Sequence, residues 1–263
     1  MTTAEKVLSQ TTGAIGWMIF NNPEKRNAVS LEMWEAAARI LDDFKRAAEV
    51  RVVVLKGAGG KAFVSGADIS RFESERANEE AAARYSEIVE RAWGTLYEYN
   101  KPTIAMIEGY CIGGGVGLAV CCDMRICSQG SRFGIPAARL GLGYGYSGVK
   151  RLVDLVGPAF AKEIFLTARQ FTADEAYQMG LVNRVLPDWE LEGFIKNYAA
   201  TIAENAPLTM QGAKLAVGEV LKDKADRNLS AVEEIVRKCF ASADYKEGRT
   251  AFLEKRKPSF RGE

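Results

Sequence analysis

Hydrophobic positions in the N-terminal half of the chain alternate between strand-like and helix-like spacing. Apolar residues at helical spacing predict helices over 31–48, with Ser30 as the N-cap, and over 78–99. Alternation of buried strands with helices is typical of an α/β fold with layered elements. Continuous apolar runs predict the strands themselves at 14–22, 51–57, 102–109 and 123–128.

The pattern becomes almost entirely helical after about residue 158. Thr172 and Glu175 have the spacing of a capping box, and Gly180 would end that short helix. We therefore expect an α/β core over 1–200 and a C-terminal helical subdomain over 201–263. Four more helices are predicted at 188–205, 208–222, 229–243 and 245–256.

Composition narrows the class of protein. The chain has 263 residues, of which 48% are hydrophobic and 26% charged, as in an ordinary globular protein with a sizeable core. Its 35 basic and 34 acidic residues give a net charge of +1, which indicates neither nucleic acid nor an anionic membrane as a partner. We expect a cytoplasmic protein, since no apolar run resembles a signal peptide or a membrane span.

The absence of histidine and the number and spacing of the cysteines limit the chemistry that the chain can perform. Histidine is absent, which excludes Ser-His-Asp and Cys-His catalysis and leaves acid–base work to carboxylates, tyrosine, lysine, cysteine or water. We predict no metal site, because histidine ligands are lacking. The cysteines are odd in number and show no CxxC spacing, which favours buried thiols: Cys111, Cys121, Cys122, Cys127 and Cys239.

Two glycine-rich loops each follow a predicted buried strand, "VSGADI" at 64–69 and "GGGVG" at 113–117. Neither loop has the G-x-G-x-x-G spacing of a dinucleotide-binding motif, and the nearby "GGK" at 59–61 is not a P-loop, because the earlier glycine is missing and Ala62 stands where Ser or Thr is required. Close packing would explain the glycines. A helix that begins in the second loop would instead present free amides, which could form an oxyanion hole with an amide of the first loop. Because Gly113 and Gly114 have no side chains, a substrate carbonyl could approach these amides closely.

Five segments together resemble the enoyl-CoA hydratase/isomerase, or crotonase, superfamily: "FNNPEKRNAVS", "FVSGADI", "IEGYCIGGGVGLAVCCDMRI", "FGIPAARLGL" and "FLEKRKPSF". The resemblance implies a spiral of ββα units with a C-terminal helical subdomain, assembled as a homotrimer or a dimer of trimers. It implies an acyl-coenzyme A thioester as substrate and no separate cofactor. By position, the amides of Ala67 and Gly114 would hold the thioester carbonyl.

The resemblance also implies contacts with coenzyme A. The segment from Lys25 to Ala28 would meet the nucleotide and the first glycine loop the pantetheine, while Phe252 and Lys255 would reach the nucleotide from the last helix. A solvated helix end would explain "EKRK" equally well. The expected binding residues are Lys25, Arg26, Ala28, Ser65, Gly66, Asp68, Ile69, Ser70, Gly113, Phe252 and Lys255.

The chain departs from the family pattern at the two positions where hydratases of the family have glutamate. Hydratases of the family carry one glutamate in a GGGxE pattern and another in FGxPE, and these positions are Gly117 and Ala137 here. An oxyanion hole without that pair still suits reactions limited by enolate formation. We therefore expect enolate chemistry other than two-glutamate hydration, and most concretely decarboxylation of a malonyl-type CoA.

Tyr144 adds to this expectation. It lies in "LGLGYGYSG" (140–148), where typical members have proline, and this loop resembles that of methylmalonyl-CoA decarboxylases of the superfamily. Tyr144 could bind a substrate carboxylate or guide a proton, or could simply be a packed aromatic residue. Arg139, Tyr146 and Ser147 are further polar candidates.

Two alternatives remain open. The first is a hydratase or isomerase that uses displaced acids such as Glu108 or Asp68, and the second is an acyl-CoA binding protein without catalysis. Among the other acids, Asp123 has a structural interpretation, while Glu73 and Glu75 follow the first glycine loop and could lie over a pocket or in solvent.

Overall fold

The computed structural model describes residues 6–71, 75 and 77–263, so Glu73 lies outside the described residues. Within them the strands form a six-stranded sheet of order β1-β2-β3-β5-β7-β10 and a four-stranded sheet of order β4-β6-β8-β9. The strands are β1 Val7–Thr12, β2 Ile15–Phe20, β3 Val52–Gly57, β4 Ala62–Val64, β5 Thr103–Ile107, β6 Tyr110–Ile112, β7 Met124–Ser128, β8 Arg132–Gly134, β9 Phe171–Thr172 and β10 Arg184–Leu186.

Nine helices are found in the described part of the chain, besides short 3₁₀ turns. The fourth contains Gly157 in a non-helical conformation followed by Pro158, so two helical segments meet there at a kink. The helices are α1 Leu31–Arg46, α2 Glu79–Tyr97, α3 Gly114–Val120, α4 Tyr146–Thr167, α5 Ala173–Gln178, α6 Asp188–Ala203, α7 Pro207–Val220, α8 Leu229–Ala241 and α9 Ala243–Glu254.

Successive units of two strands and a helix build the core. In β3-β4-α2 and in β5-β6-α3, the first strand belongs to the large sheet and the second to the small one. The large sheet is parallel apart from β1, which pairs antiparallel with β2. This arrangement confirms the expected spiral of ββα units.

The large sheet is buried on both faces, as its continuous apolar strands predict. Val53 and Leu55 of β3 face the core that contains α1 and α2, whereas Val52 and Val54 face α6. Helix α6 covers that second face with a stripe of buried residues: Leu191, Ile195, Ala199 and Ala203. The boundary expected near residue 200 therefore falls within a helix that packs on the sheet.

The structure confirms the four apolar strands, both long helices and the capping box, in which Thr172 and Glu175 each bond the backbone of the other. Strand β1 and the small sheet escaped prediction because their strands are exposed or only two or three residues long. Ser30 does hold the N-cap position of α1, but its side chain makes no capping bond. None of the helices in the described part of the chain combines the length and apolar character that a membrane span requires.

Candidate active site

The two glycine-rich loops lie side by side because their strands are neighbours. Strand β4 pairs parallel with β6, so the segments that leave their carboxyl ends emerge at the same edge of the small sheet. Gly66 has φ of 102° and Gly113 has φ of 56°, a backbone region that favours glycine. A Cβ on Gly66 would lie 3.2 Å from the carbonyl oxygen of Ile112 and 3.8 Å from the amide nitrogen of Gly114. Close backbone approach therefore requires glycine here.

The backbone around Ala67 and Gly114 leaves two amides available. Val29 pairs with this segment on both sides of Ala67, donating to the Gly66 carbonyl at 2.8 Å and accepting from the Asp68 amide at 3.0 Å. The amide of Ala67 consequently points away from Val29. Gly114 begins α3, where amides have no partner within the helix. Neither amide donates to an acceptor within the described residues.

Both loops open into a cavity of about 610 Å³, a volume usual for small-molecule sites. Ala67 and Gly114 contribute to one wall, and the segment 136–148 forms another. The third wall is helix α2, which exposes a face of mixed character to the cavity. The lining residues of α2 are Ala82, Tyr85, Ser86, Glu87, Val89, Glu90 and Trp93.

Trp93 occupies the space into which a side chain at position 117 would project. A Cβ on Gly117 would come within 2.5 Å of Cζ2 of the Trp93 indole, so any larger residue requires the ring to move. The ring also packs edge-on against Trp34, with centroids 6.1 Å apart. The second family acid position, Ala137, lines the cavity and is 5% exposed. Neither position carries an ionisable side chain, and the Trp93 ring occupies the space beside Gly117.

Tyr144 lines the cavity as a half-buried residue. Its ring packs in a T-shaped contact against Phe165, with centroids 5.0 Å apart, and this contact fixes the ring at the cavity wall. Ser147 also lines the cavity. Tyr146, which is 80% exposed, and Arg139 lie outside it. The structure therefore places one of the three additional polar candidates beside Tyr144.

Asp68 has a structural environment. Its carboxylate accepts hydrogen bonds from Lys25 Nζ at 2.8 Å and from the Ser70 hydroxyl at 2.6 Å. Burial alone would raise the pKa of Asp68, but these bonds and the charge of Lys25 lower it below its usual value. Asp68 does not line the cavity, and it anchors the loop that carries the Ala67 amide.

The other acids proposed from sequence are also removed from the cavity. Asp123 accepts from the backbone amide of Thr103 at 2.7 Å and from Lys214 at 2.6 Å, which ties α7 to the sheet. Glu108 does not line the cavity, and burial, together with the charge of Asp188, raises its pKa. Glu75 accepts from the Leu31 amide at 3.3 Å. No cluster of metal-ligating side chains occurs within the described ranges.

Two carboxylates that line the cavity were not singled out from the sequence, namely Glu87 and Glu90. Glu90 forms an ion pair with Arg151 of α4, with Oε1 and Nη2 2.5 Å apart. Their signal in the sequence is weak, because charged residues at helical spacing normally lie on a solvated face. The only hint is that Glu90 stands three residues before Trp93, on the same helical face, and that Glu87 stands three residues before Glu90.

Four of the residues expected to bind the thioester line the cavity: Ser65, Gly66, Ile69 and Gly113. Lys25 lies beside them, because its Nζ bonds Ser70 Oγ at 2.8 Å and its carbonyl accepts from Ser65 Oγ at 3.3 Å. Arg26 is held over the Tyr110 ring at 4.9 Å. Ala28 is buried, and its carbonyl accepts a hydrogen bond from Asn22.

The two C-terminal candidates lie elsewhere in the single chain. Phe252 is 84% exposed and lines a second, apolar cavity of about 990 Å³ formed by α7, α8, α9 and the C-terminal segment. Lys255 ends α9 in a left-handed conformation and is exposed. Neither residue lines the cavity that contains Ala67 and Gly114.

Comparisons with known proteins agree with this geometry. The sequence model of the enoyl-CoA hydratase/isomerase family matches residues 10–263. A crotonyl-CoA hydratase from Syntrophomonas wolfei is 35% identical over 260 residues, covering 97% of this chain and 98% of that protein. A short-chain-enoyl-CoA hydratase from Clostridium acetobutylicum is 35% identical over 251 residues, covering 95% of each.

A solved structure is similar over nearly its whole length. The enoyl-CoA hydratase/carnithine racemase from Magnetospirillum magneticum superposes with a TM-score of 0.94 at 34% identity, covering 99% of this chain and 97% of that one. The ββα spiral with its helical C-terminal region is thus the crotonase fold. The chain belongs to the enoyl-CoA hydratase/isomerase family and is an acyl-CoA enzyme of the crotonase superfamily.

Proposed function

We propose that the protein binds the carbonyl of an acyl-CoA thioester between the amides of Ala67 and Gly114 and stabilises its enolate. The observation that supports this most directly is the pair of unpartnered amides on adjacent loops at a cavity of about 610 Å³. Each donor of such a pair typically contributes roughly 2.7–4 kcal/mol to a transition state with a developing oxyanion.

The first candidate reaction is hydration or isomerisation of an enoyl-CoA. The names of the similar proteins favour it, since two of them are named as hydratases of crotonyl-CoA and of short-chain enoyl-CoA. This reaction needs a group that takes up and returns a proton. Asp68 and Glu108 do not line the cavity, whereas carboxylates of α2 do. The displaced acid of this candidate would therefore come from α2.

The second candidate is decarboxylation of a malonyl-type CoA. It is favoured by the absence of a carboxylate at Gly117 and Ala137, where Trp93 and a methyl group leave an apolar surface. Loss of CO₂ generates the enolate without a base, and only one proton must then be supplied. Tyr144, which lines the cavity, is the candidate that would bind the departing carboxylate or guide this proton.

Solvent exchange tests the shared proposal first. Butyryl-CoA incubated with the protein in D₂O should acquire deuterium at its α-carbon, because only a working enolate site labilises that proton. Thioester binding without exchange would instead indicate a non-catalytic acyl-CoA binding protein. Turnover of crotonyl-CoA, against CO₂ release from malonyl-, methylmalonyl- and ethylmalonyl-CoA, then separates the two reactions.

We also propose that the chain assembles as a homotrimer or a dimer of trimers. The C-terminal helices support this, since they expose large apolar side chains that include Phe240, Phe252 and Leu253. Light scattering should give three or six times the chain mass of 28.8 kDa, and a monomer would contradict the proposal.

A further inference from the structure

Helix α2 supplies the only carboxylates among the described residues that line the cavity. Glu90 lies on the same face as Trp93, three residues earlier, which is less than one helical turn. The Trp93 indole in turn lies within 3.9 Å of the position a Cβ on Gly114 would take. Glu90 therefore lines the same cavity as the loop that carries Gly114, and its helical neighbour Trp93 lies next to that loop.

The Glu90 carboxylate is held in one place by Arg151. The guanidinium Nη2 donates to Oε1 at 2.5 Å, and the Arg151 side chain is 11% exposed. The guanidinium also lies over the Tyr97 ring, 5.2 Å from its centroid. Oε2 of Glu90 has no hydrogen-bond partner among the residues that the structure describes. One oxygen of the carboxylate is thus fixed and the other remains available.

The cation in this pair is permanent. Burial lowers the pKa of Arg151, but the hydrogen bond to Glu90 and nearby negative charge outweigh it and raise that pKa above its usual value. Arg151 consequently remains a cation at any working pH. The pair therefore places a permanent positive charge within hydrogen-bond distance of the Glu90 oxygen that it orients.

The other wall residues lack these properties. Glu87 also lines the cavity, but it has no ion-pair partner in the described ranges, whereas the Glu90 side chain, although 43% exposed, is paired with Arg151. Of the two carboxylates, only Glu90 combines cavity access with a fixed orientation.

We propose that Glu90 is the acid–base residue of this site, in place of the family glutamates absent at Gly117 and Ala137, and that Arg151 is its positioning residue. This inference rests on the enolate function proposed above and favours its hydratase form. Glu90 would accept a proton from water as the water oxygen bonds to the β-carbon and the π electrons move into the thioester enolate. It would then return that proton to the α-carbon, so that one water is added and Glu90 is restored.

Glu90→Gln, assayed with crotonyl-CoA, tests the catalytic role. We expect kcat to fall by about 10²–10⁴-fold, the usual contribution of a general acid–base group, with Kd for butyryl-CoA unchanged within about threefold. Glu80→Gln is the matched control, because it removes an exposed carboxylate from the same helix outside the cavity. Its activity should equal that of the unmodified protein.

Arg151→Met and Arg151→Lys test the positioning role. Loss of the guanidinium should release the Glu90 carboxylate from its fixed orientation, so kcat for crotonyl-CoA should fall in Arg151→Met while KM stays within about threefold. Arg151→Lys should restore part of kcat, because it keeps the charge and loses the guanidinium geometry. A merely structural role would lower Tm in both variants and leave kcat, measured well below Tm, unchanged.

The outcomes separate this inference from the function on which it rests. If the unmodified protein binds butyryl-CoA but neither exchanges its α-proton nor hydrates crotonyl-CoA, the enolate function fails and so does the role of Glu90. If the unmodified protein is active and Glu90→Gln retains kcat within about threefold, only the role of Glu90 is overturned. A large loss in Glu87→Gln with none in Glu90→Gln would also overturn it.

Discussion

Two walls of the same cavity are built from different parts of the polypeptide. The wall at Ala67 and Gly114 consists of backbone, and its donors are amides fixed by neighbouring strands and by glycines at positive φ. The facing wall consists of side chains, among them Glu90 and Trp93 of α2. The first wall supplies backbone donors, whereas the second supplies the carboxylates that line the cavity.

The difference shows which half of the site can change independently. A backbone donor depends on strand pairing and on glycine, so altering it disturbs the loop itself. A carboxylate, by contrast, can be supplied by any helix whose side chains reach the cavity. Position 117 cannot supply one as the side chains are now packed, because the Trp93 indole fills the volume that a residue larger than glycine would need there.

The largest expected effect comes from deleting one backbone donor. Gly114→Pro removes the amide hydrogen at the first position of α3, where proline fits a helix best. We expect kcat for α-proton exchange to fall by about 10²–10³-fold, since one oxyanion donor is lost. Exchange of butyryl-CoA deuterium, followed by mass spectrometry, measures this.

Gly114→Ala is the control for that change, because it keeps the amide. The added Cβ would meet its nearest neighbour, Cζ2 of Trp34, at 3.7 Å, which is an ordinary contact. Both variants should retain the far-UV circular dichroism of the unmodified protein. Equal activity of the two variants would show that the amide of Gly114 is not a donor to the substrate.

Restoring the family acid at position 117 should destabilise the protein instead of activating it. Gly117→Glu forces a side chain into the Trp93 indole, and overpacking of a buried site costs about 1–3 kcal/mol, sometimes more. Urea unfolding should show this loss, with no gain in crotonyl-CoA hydration. Gly193→Glu is the control, because a Cβ there meets nothing within 4 Å.

A double variant sharpens the test. Trp93→Ala alone should lower the free energy of unfolding by about 3–5 kcal/mol, because it removes a buried aromatic side chain. The loss of unfolding free energy in the double variant Trp93→Ala/Gly117→Glu should be smaller than the sum of the two single losses. The reason is that the glutamate side chain would occupy the space that the indole leaves. Strict additivity of the two changes would refute the steric account of Gly117.

The backbone wall could be predicted from sequence and the side-chain wall could not. Gly66, Ala67, Gly113 and Gly114 stand in two short motifs after buried strands, so a local pattern determines both their conformation and their place at the sheet edge. The contact between Trp93 and Gly117, by contrast, joins residues on different helices, and no local spacing encodes it.

The same limit applies to the fold. The long apolar strands and amphipathic helices were predictable because each carries a full hydrophobic period. Strands β4, β6 and β8 have only three residues each, too few to display one. Ser30 shows that a correct cap position does not guarantee a cap bond, because its hydroxyl is buried without a partner among the described residues.

A smaller effect should follow from loosening the anchor of the backbone wall. The lowered pKa of Asp68 means that its ionised form stabilises the folded state above the ordinary pKa near 4, and that this contribution disappears as pH falls through the folded pKa. Asp68→Asn should therefore reduce stability at pH 7, and the difference from the unmodified protein should shrink below about pH 4.

Urea titrations at pH 7 and pH 3 measure this difference. Asp43→Asn serves as the control, because Asp43 forms an exposed pair with Arg46, whose contribution is expected to be within about 1 kcal/mol. An equal loss in Asp68→Asn at both pH values would assign the effect to packing instead of charge.

The smallest expected effect concerns the end of the substrate farthest from both walls. If Lys255 meets a phosphate of coenzyme A, an exposed pair of this kind contributes about 0.2–1 kcal/mol, so Lys255→Ala should raise KM about 1.4- to 5-fold and leave kcat unchanged. The same variant should behave normally with an N-acetylcysteamine thioester, which lacks the nucleotide, and Lys257→Ala controls for loss of a nearby exposed charge. Lys255 does not line the cavity in the single chain. A change in KM with the truncated thioester would therefore contradict a contact with the nucleotide and indicate an indirect effect on the cavity walls.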